Sequence, residues 1–369
     1  MKVLYLGHYK EGTGWSVAAI NNILALNTQD IDLVTRNVKL TKEVEVPKEI
    51  LELEKKDLQN IDVCIQHVLP HHLVATNKFK KNIAYFVNET NTIKYASSWW
   101  QQLKSMDEVW VPCVDSETSL INDGIQNVKI VPHTFNTAEL VRNPDIRATS
   151  LIHENFKFYY IGDTNDRKNL SNIIRCFHVA FSPSEPVDLV LKLGSSRGID
   201  YLTQSINATV EKIKRQLRLH GDLQVYKKEH IISQHLDRQA ILDLHSVCDC
   251  YIAPSHGEAW NIPAFEAMAF GNTPICSSCG GPKDFIDKHN VNTGTLVSGV
   301  QKICNHQDAA FPFLGTGREM WFEPDDEEII KAMRYYFENR NNIDRNQGIK
   351  QANMFSHKNI GELMMEYLK

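Results

Sequence analysis

The sequence predicts an α/β protein built from two Rossmann-like, doubly wound domains facing a cleft. Three observations carry that prediction. Short β-rich apolar runs alternate with helical stretches along the chain, the pattern of parallel βαβ units. The alternation runs twice, interrupted over 141–155 by VRNPDIRATSLIHEN, which has no clean periodicity. The chain has 369 residues, more than one hydrophobic core ordinarily serves.

In the first half, strands are expected at 2–7, 31–36, 62–67, 82–87, 108–112 and 127–132. A helix over 15–26 repeats Val17, Ile20, Ile23 and Leu24 at helical spacing. Another over 116–124 takes Asp115 or Ser116 as N-cap and Gly124 as stop. The second series places strands at 157–162, 187–193, 223–228, 250–254, 273–278 and 294–297, with a basic helix over 211–221 whose charges read as a solvated face. The expected domains are 1–145 and 155–340, followed by a helical tail over 341–369.

Hydrophobic residues make up 42%, charged residues 23%, and the formal net charge is −5. This is an ordinary globular balance that argues against a dominant polyanion-binding surface. The apolar run in MKVLYLGHYKEGTG is too short for a signal peptide or a membrane span. A cytoplasmic location is expected, and peripheral membrane contact stays compatible with it. Of eight cysteines, Cys248 and Cys250 form C-x-C, and Cys276 and Cys279 form a single C-x2-C. A zinc ribbon needs two such pairs, so reduced thiols and no metal are expected.

Two facing doubly wound lobes put ligands at the carboxyl ends of their strands, so the candidate chemistry lies at those ends. After strand 250–254 comes SHGEAWNIPAFEAMAFG, with Glu258 in the loop and Pro263 suited to a first helical turn. Glu266 is expected in or near that turn, close to free backbone N–H groups. Either carboxylate alone reads as a solvated loop charge or a helix-start charge. Together, at a crevice, they suit the paired hydroxyls of a ribose or a sugar. After strand 157–162, Arg167 and Lys168 precede a helix starting near Leu170. Such pairs are common in charged loops, but cations at a helix start also make an anion site. After strand 2–7, Gly12 and Gly14 open the first helix and permit close approach to a diphosphate, without the third glycine of the dinucleotide pattern. Gly280 and Gly281 lead into another helix start. These ends together suit a nucleoside diphosphate carrying a sugar.

The block PSHGEAWNIPAFEAMAFGNTPICSSCGGPKDFI resembles the core pattern of the retaining, two-lobed (GT-B) glycosyltransferases of family 4, the glycosyl transferases group 1. IGDTNDRKNLSNIIRCFHVAF, DEVWVPCVDSETSLINDGIQNVKIVPHTFN and WFEPDDEEIIKAM are similar to the family's upstream, first-domain and closing blocks. The resemblance implies that Glu266 binds the ribose hydroxyls of a UDP- or GDP-linked donor and that Glu258 contacts the transferred sugar. It implies that Lys168 and Arg167 hold the diphosphate and that Gly12 and Gly14 bring the first loop near it. Gly257, Trp260, Asn261, Gly280 and Gly281 join the donor-binding set. The base would lie near the KKEHIIS turn, at Lys228. The tail helix would pack back toward the first domain.

The chain departs from the family at several points. Asp163 stands where an arginine is common, and Ala259-Trp260-Asn261 replaces Gly-Phe-Gly. Asn261 tolerates a left-handed backbone, Ala259 less readily. The sugar-contacting histidine after the fourth strand is replaced by Asn88 or Glu89, and Glu89-Thr90 with Trp99-Trp100 could shape an acceptor site, as could His133. His8, His67, His71 and His133, all near strand ends, read mainly as satisfied or solvated imidazoles. The expected activity is transfer of a hexose from a nucleotide sugar to a hydroxyl acceptor, whether glycan, lipid, protein or modified nucleobase. Neither metal nor cofactor is called for. A non-catalytic scaffold and a nucleotide-sugar epimerase share the architecture and stand as alternatives.

Overall fold

The computed structural model describes residues 1–41, 43–142, 154–194, 198–305, 311 and 313–369. The chain divides into two compact units. The first comprises Met1–Thr137, Ile303–Met320 and Asn353–Lys369; the second comprises Ala138–Lys302 and Trp321–Ala352.

The first unit holds a parallel sheet of β1 (Lys2–Gly7), β2 (Asp32–Asn37), β3 (Val63–His67), β4 (Lys81–Tyr85), β5 (Glu108–Val111) and β6 (Val128–Ile130). Its order is β2-β1-β3-β4-β5-β6. Strands covered on both faces read as continuous buried runs, and every residue of β3 and β5 is buried. The connecting helices are α1 (Gly14–Asn27), α2 (Lys48–Lys55), α3 (Ser97–Lys104) and α4 (Val114–Asn122). Thr13 caps α1 in a reciprocal capping box with Ser16. Helix α4 starts two residues before the expected point: Cys113 is its N-cap, its thiol 3.2 Å from Ser116 Oγ and not on a helix N–H, and Gly124 at φ 77° follows its end.

The second unit holds β7 (Phe156–Asp163), β8 (Val187–Gly194), β9 (His230–Ile232), β10 (Cys250–Ala253), β11 (Ile275–Ser277) and β12 (Thr295–Val297), in the order β12-β11-β10-β7-β8-β9. Counted within the unit this is the doubly wound order 3-2-1-4-5-6, so the chain reverses direction across the sheet between β7 and β10. Its helices are α5 (Leu170–Ala180), α6 (Ile199–Leu217), α7 (Arg238–Val247), α8 (Ile262–Ala269), α9 (Pro282–Phe285), α10 (Asp326–Glu338) and α11 (Arg345–Ala352). A two-stranded sheet pairs β13 (Gly299–Ile303) with β14 (Met320–Pro324). A last helix, α12 (His357–Leu368), belongs to the first unit.

One expected strand is overturned. Residues 223–228 form no strand: Asp222 caps a 3-10 turn at Leu223–Val225, and Tyr226 is buried with its hydroxyl bonded to Lys214 O at 3.0 Å. The strand follows at His230–Ile232. The basic helix likewise starts earlier, as the second half of α6, and stops at Arg218 in a left-handed conformation (φ 54°).

The domain limits also differ from 155–340 and 341–369. The segment Ile303–Met320 joins the first unit, where Phe311 and Phe313 lie edge-on to Trp99 and Met320 exchanges two hydrogen bonds with Asn91. Helix α11 stays in the second unit, because Arg345 bonds Asn272 and Asp249 and Gly348 lies against Met268. The chain returns to the first unit only at Asn353. There Phe135 pairs with Ser356, and Gly361 lets α12 close on α1: a Cβ at 361 would stand 2.6 Å from Ala25 O. Most of the expected boundary at 141–155 lies outside the described residues.

Candidate functional site

The candidate site is at the switch point of the second sheet, where the loops after β7 and β10 meet. Strand β7 ends at Asp163, just after Gly162, where any Cβ would lie 2.2 Å from the Tyr160 hydroxyl. A 3-10 turn at Asp166–Lys168 follows, held by the Asn165 side chain accepting from Lys168 N. Asn169, left-handed at φ 55°, then turns the chain into α5. Three bonds stitch this turn to the loop after β10. Asn169 Nδ2 donates to Pro254 O (3.0 Å), His256 N to Arg167 O (2.8 Å) and Arg167 Nη1 to Gly257 O (2.6 Å).

This stitching delivers Arg167 and Lys168 to Glu258. Lys168 Nζ is 2.7 Å from Oε1 and Arg167 Nη1 is 3.3 Å from Oε2. Burial pushes the Glu258 carboxyl up, but the two cations and the hydrogen bonds outweigh it and hold the group below the ordinary carboxylate range. Glu258 is therefore an anion at neutral pH, an acceptor and not an acid. Within this triad two cations face one carboxylate. Gly280 and Gly281 support it from the next loop. Gly280 sits at φ 62° with its missing Cβ 1.6 Å from Glu258 O, and a Cβ on Gly281 would stand 2.5 Å from Trp260 Cα.

Glu266 lies near the first turn of its helix, but its carboxylate is held by other groups than the free N–H groups expected there. Asn261 at φ 68° is the N-cap of α8, its side chain accepting from Ala264 N, and Ala259 is spared the left-handed backbone. The helix begins at Ile262, with Pro263 in its first turn. Glu266 therefore falls in the second turn, beyond the free N–H groups. Its carboxylate meets two residues of α7: Arg238 Nη1 at 2.7 Å from Oε1 and His245 Nε2 at 3.4 Å from Oε2. Burial raises this carboxyl, while Arg238 and then His245 outweigh it and hold it low. Glu266 is 2% exposed, its partner Arg238 48%. Glu258 and Glu266 thus hold separate cations.

Arg238 and His245 were missed in the sequence. With the preceding strand read at 223–228, the turn that leads to Arg238 was not recognised as a carboxyl-end loop. The available signal was Asp237, whose side chain caps α7 through Ala240 N. The same error misplaced Lys228. It lies before β9, at the amino edge of a parallel sheet, opposite the loops that carry Arg167, Lys168 and Glu258.

Further expectations are corrected. Trp260 is a core residue, its ring against Phe265 and Phe285. In the first unit, Asn88 uses its amide within its own loop and on Ser119: Nδ2 donates to Thr90 O and Ser119 Oγ, and Oδ1 accepts from Glu89 N. His133 is buried, stacked on Tyr85 with Nδ1 2.9 Å from its hydroxyl, and burial pushes its pKa down to about 3. Gly12 needs glycine for its φ of 68°, whereas a Cβ at Gly14 meets open space. Cys248, Cys250 and Cys276 are buried free thiols, and Cys279 is half-buried. Among the described residues no three His, Cys, Asp or Glu side chains cluster as metal ligands, and no helix is long and apolar enough to cross a membrane.

Residues 142–303 match the family model described as Glycosyl transferases group 1. No curated protein matches the chain. Among solved structures, it is similar to a sucrose-phosphate synthase from Thermosynechococcus elongatus (TM-score 0.67, 14% identity, covering 100% of this chain and 98% of that one). It is equally similar to Anabaena HepE in complex with UDP-glucose (0.67, 15%, 100% and 99%). A glycosyltransferase from Rickettsia africae follows (0.64, 13%, 99% and 97%). At these identities the structures speak to fold, and the family model speaks to the second unit. The chain is a glycosyltransferase of GT-B fold whose second unit carries a glycosyl transferases group 1 domain.

Proposed function

We propose that this chain is a retaining hexosyltransferase that takes its sugar from a UDP- or GDP-linked donor and passes it to a hydroxyl acceptor. The observation that carries the reading is the cluster of Arg167, Lys168 and Glu258 at the switch point, where two cations converge on one carboxylate. A diphosphate leaving group gains negative charge as the bond to the anomeric carbon breaks, and fixed cations stabilise that charge without reorganising. HepE, a relative in fold, is described as binding UDP-glucose, which supports a nucleotide-sugar donor here.

In this reading the anomeric C–O bond to the β-phosphate breaks and the acceptor oxygen bonds to the same carbon from the same face. The acceptor's proton passes to the departing diphosphate, so no protein base is required. Glu258, held ionised, accepts hydrogen bonds from the sugar's hydroxyls. Glu266 accepts from the ribose hydroxyls after Arg238, its exposed partner, swings away.

The test is donor turnover with UDP- and GDP-hexoses. Slow hydrolysis releasing free nucleoside diphosphate is expected, and Lys168→Ala lowers its kcat by about 10²–10³-fold, as loss of one charge-stabilising donor does. Preference between the two bases stays as in the wild type. Unchanged turnover in Lys168→Ala would overturn the phosphate role. Donor binding without turnover would favour a scaffold, and an altered sugar on an intact donor would favour an epimerase.

A further inference from the structure

We propose that His245 is a positioning residue: it pins one oxygen of Glu266 so that the other is presented to the donor ribose. This rests on the ribose reading of Glu266 given above.

The geometry assigns every proton in the chain of groups behind Glu266. Arg345 Nη1 donates to Asn272 Oδ1 at 2.8 Å, and Arg142 Nη2 donates to the same oxygen. Guanidinium groups only donate, so the Asn272 amide is oriented with its oxygen toward them and its nitrogen away. That nitrogen donates to the Tyr159 hydroxyl oxygen at 2.9 Å and to His245 O at 2.7 Å. The Tyr159 hydroxyl, already accepting, has its one proton for His245 Nδ1, 2.7 Å away. His245 Nδ1 is therefore the acceptor and Nε2 carries the hydrogen. Nε2 makes no hydrogen bond among the described residues, and Glu266 Oε2 stands 3.4 Å from it, the acceptor its hydrogen is left for.

Every hydrogen bond runs one way, from two arginines through Asn272 and Tyr159 to His245, whose remaining N–H is left for one carboxylate oxygen. The imidazole cannot turn, because it is wholly buried, stacked on Phe270 at 5.4 Å and edge-on to Tyr159. Burial also keeps it neutral, which the assigned tautomer requires. The opposite oxygen, Oε1, is buried beneath the half-exposed Arg238, whose Nη1 lies 2.7 Å away. The carboxylate thus has a fixed side and an exchangeable side, as a carboxylate does that must meet a ligand in one orientation.

The test compares dissociation constants by calorimetry for UDP and GDP and for their 2′,3′-dideoxy forms. Wild type, His245→Phe, Tyr159→Phe and Glu266→Gln are measured. The wild type should prefer the ribose form by about tenfold or more, the worth of a charged hydrogen-bonded hydroxyl pair. His245→Phe should bring that preference below about threefold while leaving dideoxy affinity within about twofold. Tyr159→Phe, which removes only the hydroxyl, should give a smaller loss in the same ratio and serves alone if His245→Phe does not fold. The dideoxy arm is the internal control, since a merely structural role lowers both affinities equally. Equal losses, or an unchanged ratio in both variants, would overturn the proposal. If Glu266→Gln leaves the ratio unchanged, the ribose reading itself fails. If Glu266→Gln moves it and the His245 and Tyr159 variants do not, only the positioning role falls.

Discussion

At the residue scale, glycines separate two kinds of constraint. Gly280 and Gly14 both open helices next to candidate ligand loops, and sequence alone treats them alike. Their surroundings differ completely. Gly280→Ala puts a Cβ into Glu258 O on a left-handed backbone, so a loss of at least about 3 kcal/mol is expected. That substitution should abolish activity with the fold, because the displaced loop carries Glu258. Gly14→Ala meets open space and should change stability by no more than about 1 kcal/mol in either direction. Thermal melts of both variants check the contrast, and a raised donor KM in Gly14→Ala at unchanged Tm would mark the first loop as a ligand-approach surface. The Glu258 cluster was legible because Arg167, Lys168 and Glu258 all follow correctly read strands. Glu266 was legible as a residue type, but not its partners, which come from a helix behind a strand read several residues early.

At the element scale, the long buried strands were the legible part. Val63–His67 and Val187–Gly194 are almost wholly buried, and their positions came within a residue of the reading. The failure at 223–228 has a physical cause. Leu223 and Val225 alternate like a strand, but the Asp222 side chain bonds Gln224 N and closes a tight turn. The true edge strand is three half-buried residues, too short to leave a periodic signal. The last helix offers a prediction of its own. Helix α12 buries Ile360, Met364 and Leu368, about 5 kcal/mol of apolar transfer. That rivals the net stability of a typical domain. A chain ending at Ala352 should be largely insoluble or lack a cooperative transition for its first unit. A truncated chain that melts like the full one would contradict this packing.

At the scale of the whole molecule, buried imidazoles shape the response to acid. Burial pushes His133 down to about 3 and His357 down to about 4, and lowers His8, His67 and His245. An unfolded histidine takes up its proton near pH 6.5, while these stay neutral in the fold. The unfolded chain therefore binds more protons below about pH 6.5, and stability falls with pH from there down to the folded values. A single such group with a folded value near 3 costs about 2 kcal/mol by pH 5. The ionised Glu258 and Glu266, held low by their cations, add a second loss only below about pH 4.3. Urea midpoints should therefore drop between about pH 7 and pH 5, before the carboxylates titrate. A flat profile across that range would show that these histidines are not neutral in the fold.

The first unit is assembled from three separated stretches, Met1–Thr137, Ile303–Met320 and Asn353–Lys369. During synthesis, the sheet of that unit emerges first but waits for its closing helix until residues 353–369 have been made. Neither unit corresponds to one uninterrupted stretch of coding sequence. A single cut in the gene therefore cannot yield either one whole, and separate expression of the two would require splicing distant segments through engineered loops.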